Sequence, residues 1–103
     1  MYKSIIQIKV NLIENGIINR FYVDKKSSLV SFNGYTKTIP ASTLNGWLTK
    51  FFSLIRKYGT SPDGIYDRGN IATIEIVESK KCFDFVIGGR ALELLNGLIT
   101  RIM

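Results

Sequence analysis

From Ser4 to Ile13 apolar side chains recur at every second position, Ile6, Ile8, Val10 and Leu12 alternating with Gln7, Lys9 and Asn11, and the run ends on Asn15-Gly16. Strict alternation is the signature of a half-buried strand. Asn-Gly is the favoured pair for a two-residue type I′ turn, whose two central residues both need positive φ. Together they predict a hairpin in which Glu14 pairs with Ile17, so that Val10 lies opposite Phe21 and Ile8 opposite Val23. The apolar faces of both strands then coincide. The other face carries Gln7, Lys9 and Asn11 against Asp24, Tyr22 and Arg20, with Ile13 and Ile18 near the turn.

A polar turn from Lys25 to Ser28 leads to Leu29-Val30-Ser31-Phe32, a third strand, and a second Asn-Gly at Asn33-Gly34 returns the chain through Tyr35 to Ile39. Thr36, Lys37 and Thr38 have little to bury, which suits an edge strand. Beyond Pro40, with Ser42 or Thr43 as candidate N-cap, Leu44, Trp47, Leu48, Phe51, Phe52, Ile55 and Tyr58 keep helical spacing. Gly59 is the expected left-handed C-terminal residue, and Arg56 and Lys57 complement the helix dipole. The stretch from Gly59 to Asn70 is loop-like, with a short Ile65-Tyr66 inside it.

The second half repeats the logic in shorter form. Ala72, Ile74 and Ile76 alternate, as do Phe83, Phe85 and Ile87, around Ser79-Lys80; pairing Glu78 with Lys81 sets Ile76 opposite Phe83 and Ile74 opposite Phe85. Gly88-Gly89 then opens a helix carrying Ala91, Leu94, Leu95, Leu98, Ile99 and Ile102 on one stripe. The expected fold is α+β: one domain over residues 1–103, an antiparallel sheet with two amphipathic helices on one face, in the order ββ(ββ)α-ββα. Trp47, Phe51, Phe83 and Phe85 are the expected core aromatics. Leu44-Asn45-Gly46-Trp47-Leu48-Thr49-Lys50 also parallels Leu95-Asn96-Gly97-Leu98-Ile99-Thr100-Arg101, and Gly16-Ile17-Ile18-Asn19-Arg20 echoes Gly64-Ile65-Tyr66-Asp67-Arg68. An internal duplication, with halves of about 1–58 and 59–103, and chance similarity of short amphipathic segments both account for this.

Composition narrows the chemistry. The chain has no histidine and one cysteine, Cys82, so histidine triads, Cys/His dyads, zinc clusters and internal disulfides are excluded. Asp63, Asp67 and Asn70 are oxygen donors without EF-hand spacing, and Gly88-Gly89 lacks the lysine and serine of a phosphate-binding loop. No cofactor or metal is expected, and neither is catalysis. Glu75 and Asp84 fall opposite each other on the outer face of the second hairpin, an unfavourable pairing of like charges. A partner's cation, a basic residue of this chain, or divergence into solvent would each relieve it. The early interruption of the N-terminal apolar run by Gln7 and Lys9, and the lone thiol, favour a cytoplasmic location without a membrane-spanning segment.

What remains is binding. The outer faces of the two hairpins offer Lys9, Arg20, Tyr22, Lys25 and Lys26 on one side and Glu75, Val77, Cys82, Asp84 and Val86 on the other. Their mixture of charge and moderate apolarity suits a protein partner that the domain would modulate or inhibit, or a second copy pairing as a homodimer. The net charge of +6, with Tyr22 as a stacking ring beside Lys9 and Arg20, is the alternative footprint of a nucleic-acid-binding module.

Overall fold

The computed structural model describes residues 5–59, 70–79 and 81–103. It is one α+β domain in the expected order: β1 (Ile5–Glu14), β2 (Ile17–Asp24), β3 (Leu29–Phe32), β4 (Tyr35–Thr38), α1 (Ala41–Tyr58), β5 (Ile71–Glu78), β6 (Cys82–Gly88) and α2 (Arg90–Ile102). The six strands form one antiparallel sheet ordered β4-β3-β2-β1-β5-β6. Both hairpin registers follow the turn chemistry, with Val10 opposite Phe21 in the first and Ile74 opposite Phe85 in the second. Asn15 and Gly16 take φ of 52° and 77°, Asn33 and Gly34 take 49° and 88°, so both Asn-Gly pairs supply the left-handed backbone that such turns need.

Asn33 does more than turn the chain. Its side-chain oxygen accepts the Arg20 backbone N–H at 2.8 Å, its own N–H donates to the Arg20 carbonyl at 2.8 Å, and its amide donates to Asn19 Oδ1 at 2.9 Å. The short β3–β4 hairpin is thereby clipped to the long β2 strand. β4 is the sheet edge, as its threonines and lysine suggest.

The helices cover one face. Ile8, Val10, Leu12, Phe21, Val23, Val30, Ala72, Ile74 and Ile87 pack against Leu44, Trp47, Leu48 and Phe51 of α1 and Ala91, Leu95 and Ile99 of α2. Trp47 is an anchor of this core: its ring stacks on Phe51, with centroids 5.0 Å apart, and its indole N–H donates to the Leu98 carbonyl at 2.8 Å, tying α1 to α2. A buried indole needs such a partner. Lys37, at the edge, reaches the carbonyl of Met103 at 2.8 Å and so caps the end of α2 with a positive charge.

Several local expectations are corrected. α1 starts at Ala41 with Pro40 as N-cap, and neither Ser42 nor Thr43 caps it; the bond from Ile39 N–H to the Ser28 carbonyl fixes the preceding residue at the sheet, so the helix begins at once. Gly59 is extended, with φ of −68°, and its glycine identity has another cause: a Cβ there would lie 2.6 Å from the Ile55 carbonyl oxygen. In α2 the buried stripe takes Leu92 and leaves Leu94 48% exposed. In α1 the stripe takes Leu54 while Tyr58 is exposed, because these helices face each other as well as the sheet. Phe83 is exposed and Phe85 only partly buried, since β6 is the other sheet edge and the helices do not fully cover it.

Candidate functional site

The face of the sheet opposite the helices is built by register. Pairing of β1 with both β2 and β5 places Tyr22, Lys9, Glu75 and Asp84 in one row across four strands, flanked by a row of Asp24, Gln7, Val77 and Cys82 and by a row of Arg20, Asn11, Thr73 and Val86. The two hairpin faces singled out in the sequence are therefore one continuous surface. Local patterns leave the β1–β5 contact open, because no turn joins those strands.

That contact changes the electrostatics. Lys9 lies directly opposite Glu75 and their side chains approach to 3.8 Å, so the cation that relieves the Glu75–Asp84 pairing comes from this chain. With Lys9 half exposed and Glu75 at 42%, the pair is a screened surface interaction. It nonetheless occupies Lys9. Lys9 and Arg20 are outnumbered on these rows by Asp24, Glu75 and Asp84. Lys25 and Lys26 lie in the adjoining β2–β3 turn, where the Lys26 N–H donates to Asp24 Oδ1 at 3.2 Å. Asn70 is held through its side-chain oxygen by the Asn15 N–H at 3.0 Å; Asp63 and Asp67 lie outside the described residues.

Tyr22 stands at the β2 end of the row. Partial burial pushes its phenol above the ordinary tyrosine value, the neighbouring Asp24 carboxylate pushes the same way, and a hydrogen bond with the Gln7 side chain opposes them. The phenol stays protonated at neutral pH, and the side chain is half-buried. Val77 is partly exposed and Cys82 is an exposed free thiol on the edge strand. Ile13 is half-buried and Ile18 is 50% exposed near the turn. Val86 is corrected: it lies on the expected face by register but is only 5% exposed, so it is no part of an accessible patch.

Beside Glu75 and Asp84 the sheet surface dips into a depression of about 320 Å³ lined by Lys9, Asn11, Thr73 and Phe85 among others. A flat face was expected there. Among the described residues no group of three or more potential metal ligands gathers at any point, and no helix is long and apolar enough to cross a membrane.

The positive charge has gone elsewhere. Lys50, Arg56 and Lys57 in α1 and Arg90 and Arg101 in α2 are exposed, and the only carboxylate on either helix is Glu93. The basic surface is thus the helical layer and not the hairpin faces that the sequence pattern favours. Clustering of Lys and Arg on the outward positions of both helices, with so little acid between them, was the available signal. No family model matches this chain, and neither a curated protein nor a solved structure is significantly similar to it.

Proposed function

We propose that the protein is a non-catalytic interaction module that binds a protein partner through the open face of its sheet and modulates that partner by occlusion. The observation that carries this reading is that both helices pack on one face, leaving the other face of a six-stranded sheet without a covering helix or strand among the described residues. With strands about 4.8 Å apart and about 3.3 Å per residue, that face measures roughly 600 Å². One partner in a standard protein interface contributes about 800 Å². The mixture of Ile18, Tyr22, Val77 and Cys82 with the Lys9–Glu75 pair resembles the half-polar composition of such surfaces.

Pairing of Lys9 with Glu75, and the excess of carboxylates on these rows, weigh against nucleic acid as the ligand of this face. Phosphate contact would need those bases uncommitted. The absence of histidine from the chain, the exposure of Asp84 and the partial exposure of Glu75 support the non-catalytic reading, since acid–base chemistry draws on histidine or on a carboxylate tuned by burial.

The test is affinity capture from nuclease-treated lysate of the native host, compared across wild type, Tyr22→Asp and Ile18→Asp. One stoichiometric protein partner, lost with both variants while their urea midpoints match wild type, is the expected result. Retention of the partner by both variants, or loss of every partner on nuclease treatment, overturns the proposal.

A further inference from the structure

The seam between α1 and α2 lies on the opposite side of the molecule from the open sheet face. Its helices run antiparallel: Leu54 and Lys57 meet Glu93 and Leu94 at one end, and Thr43 and Gly46 meet Arg101 and Ile102 at the other. Two cavities of about 420 and 270 Å³ occupy its solvent side, and Lys50, Leu98 and Arg101 line both, so they adjoin along one groove between the helices.

The groove is open because Gly46 and Gly97 stand on its walls. A Cβ at either would meet nothing within 4 Å, and neither has positive φ. Glycine is among the least favourable residues in a helix interior, so neither packing nor backbone geometry accounts for its use here. Both glycines belong to the paired heptapeptides of the sequence. Those segments share local structure, Thr49 bonding the Asn45 carbonyl at 3.1 Å as Thr100 bonds the Asn96 carbonyl at 2.9 Å. They also touch, through the bond from Trp47 to Leu98. Four strands precede one segment and two the other, and the Gly64–Arg68 part of the similarity lies outside the described residues.

The groove has an aliphatic floor and a basic rim. Leu54 is nearly buried, Leu98 partly buried and Leu94 48% exposed beside them. Lys50, Lys57 and Arg101 have no ion-pair partner among the described residues, and Glu93 is the single acid in the lining. Lys50 and Lys57 are seven residues apart, about 10 Å along the helix axis. That distance matches carboxylates seven residues apart on a helical ligand, or about three apart on an extended one.

We propose that this groove binds an acidic amphipathic peptide segment, its carboxylates paired with Lys50, Lys57 and Arg101 and an apolar side chain seated on Leu54, Leu94 and Leu98. The charge complementarity selects an acid and the floor selects a peptide. A nucleic-acid strand would set phosphates over leucines and against Glu93. This docking surface is separate from the sheet face and does not depend on it.

The experiment is fluorescence anisotropy with a labelled peptide carrying Glu at i and i+7 and Leu at i+3 and i+4 of one helical face, alongside a scrambled peptide of the same composition and a labelled oligothymidylate. Saturable binding of the designed peptide is expected, weakened about tenfold by Lys50→Glu and by Arg101→Glu. Gly97→Leu, which places a side chain in the open seam, should weaken it similarly while Tm holds or rises. Tyr22→Asp should bind as wild type. Equal binding by Gly97→Leu, equal affinity for the scrambled peptide, no saturation below about 1 mM, or tighter binding of the oligothymidylate through the same three basic residues would each overturn the proposal.

Discussion

Replacing Gly46 and Gly97 together by alanine should make the protein more stable. Both residues are exposed, and each lies at least a full turn inside its helix, α1 spanning Ala41–Tyr58 and α2 spanning Arg90–Ile102. An added Cβ meets nothing within 4 Å at either position, so no overpacking term opposes the gain. Glycine in a helix interior costs about 0.5–1 kcal/mol relative to alanine, largely through the freedom it gives the unfolded chain. Neither added Cβ meets an atom within 4 Å, so the two substitutions share no contact and their effects should add. The sum is roughly 1–2 kcal/mol, or a rise in Tm of about 4–15 °C for a domain of this size. Urea denaturation followed by circular dichroism should show the midpoint rising with the slope unchanged. A midpoint that falls, or an unfolding free energy that stays within about 0.3 kcal/mol of wild type, would refute the reasoning, because it would mean that the helices approach more closely at these glycines than their geometry indicates.

Trp47→Phe removes the bond to the Leu98 carbonyl and part of a side chain stacked on Phe51; about 2–3 kcal/mol of stability should be lost, and a loss below about 0.5 kcal/mol would show that the bond does not tie the helices. Asn33→Ala loses both side-chain clips to β2 and strains a φ of 49°, for about 2 kcal/mol. Asn33→Gly relieves the φ alone and should recover part of that loss; identical denaturation midpoints for the two variants would argue against a backbone contribution. Because the folded state holds the Tyr22 phenol above its unfolded value, its contribution to stability is complete below about pH 10 and is lost as pH rises through the folded pKa. Tyr22→Phe should flatten that alkaline decline in a comparison of urea midpoints, and an unchanged decline would assign it to other groups.

The parts of this molecule that were legible in its sequence are those written within a few residues of one another. Asn15-Gly16 and the alternation on either side set the β1–β2 register because a two-residue turn leaves no freedom of pairing and a slip by one residue would reverse the faces. The same holds for β5 and β6, where Glu78 donates its N–H to the Lys81 carbonyl. Helical spacing from Leu44 to Ile55 identified the buried face of α1, and Trp47 as its anchor, since the period of a helix and that of its apolar stripe are the same fact.

Contacts between elements far apart in the chain were decided only by assembly. Nothing local says that β5 joins β1, yet this pairing sets Lys9 against Glu75, merges two outer faces into one and removes a cation from the charge that a nucleic acid would meet. The choice of Leu92 over Leu94 for burial, like that of Leu54 over Tyr58, depends on the angle at which α2 meets α1 and the sheet, and both pairs of positions satisfy a helical stripe. Phe83 and Phe85 carry an inward pattern, but burial requires something to pack above them, and β6 became an edge. The sequence by itself thus determined which residues face one another across each turn and along each helix, because chain connectivity enforces those distances. Which faces were left to solvent, and where the positive charge collected, was determined by packing among elements that no short stretch of chain connects.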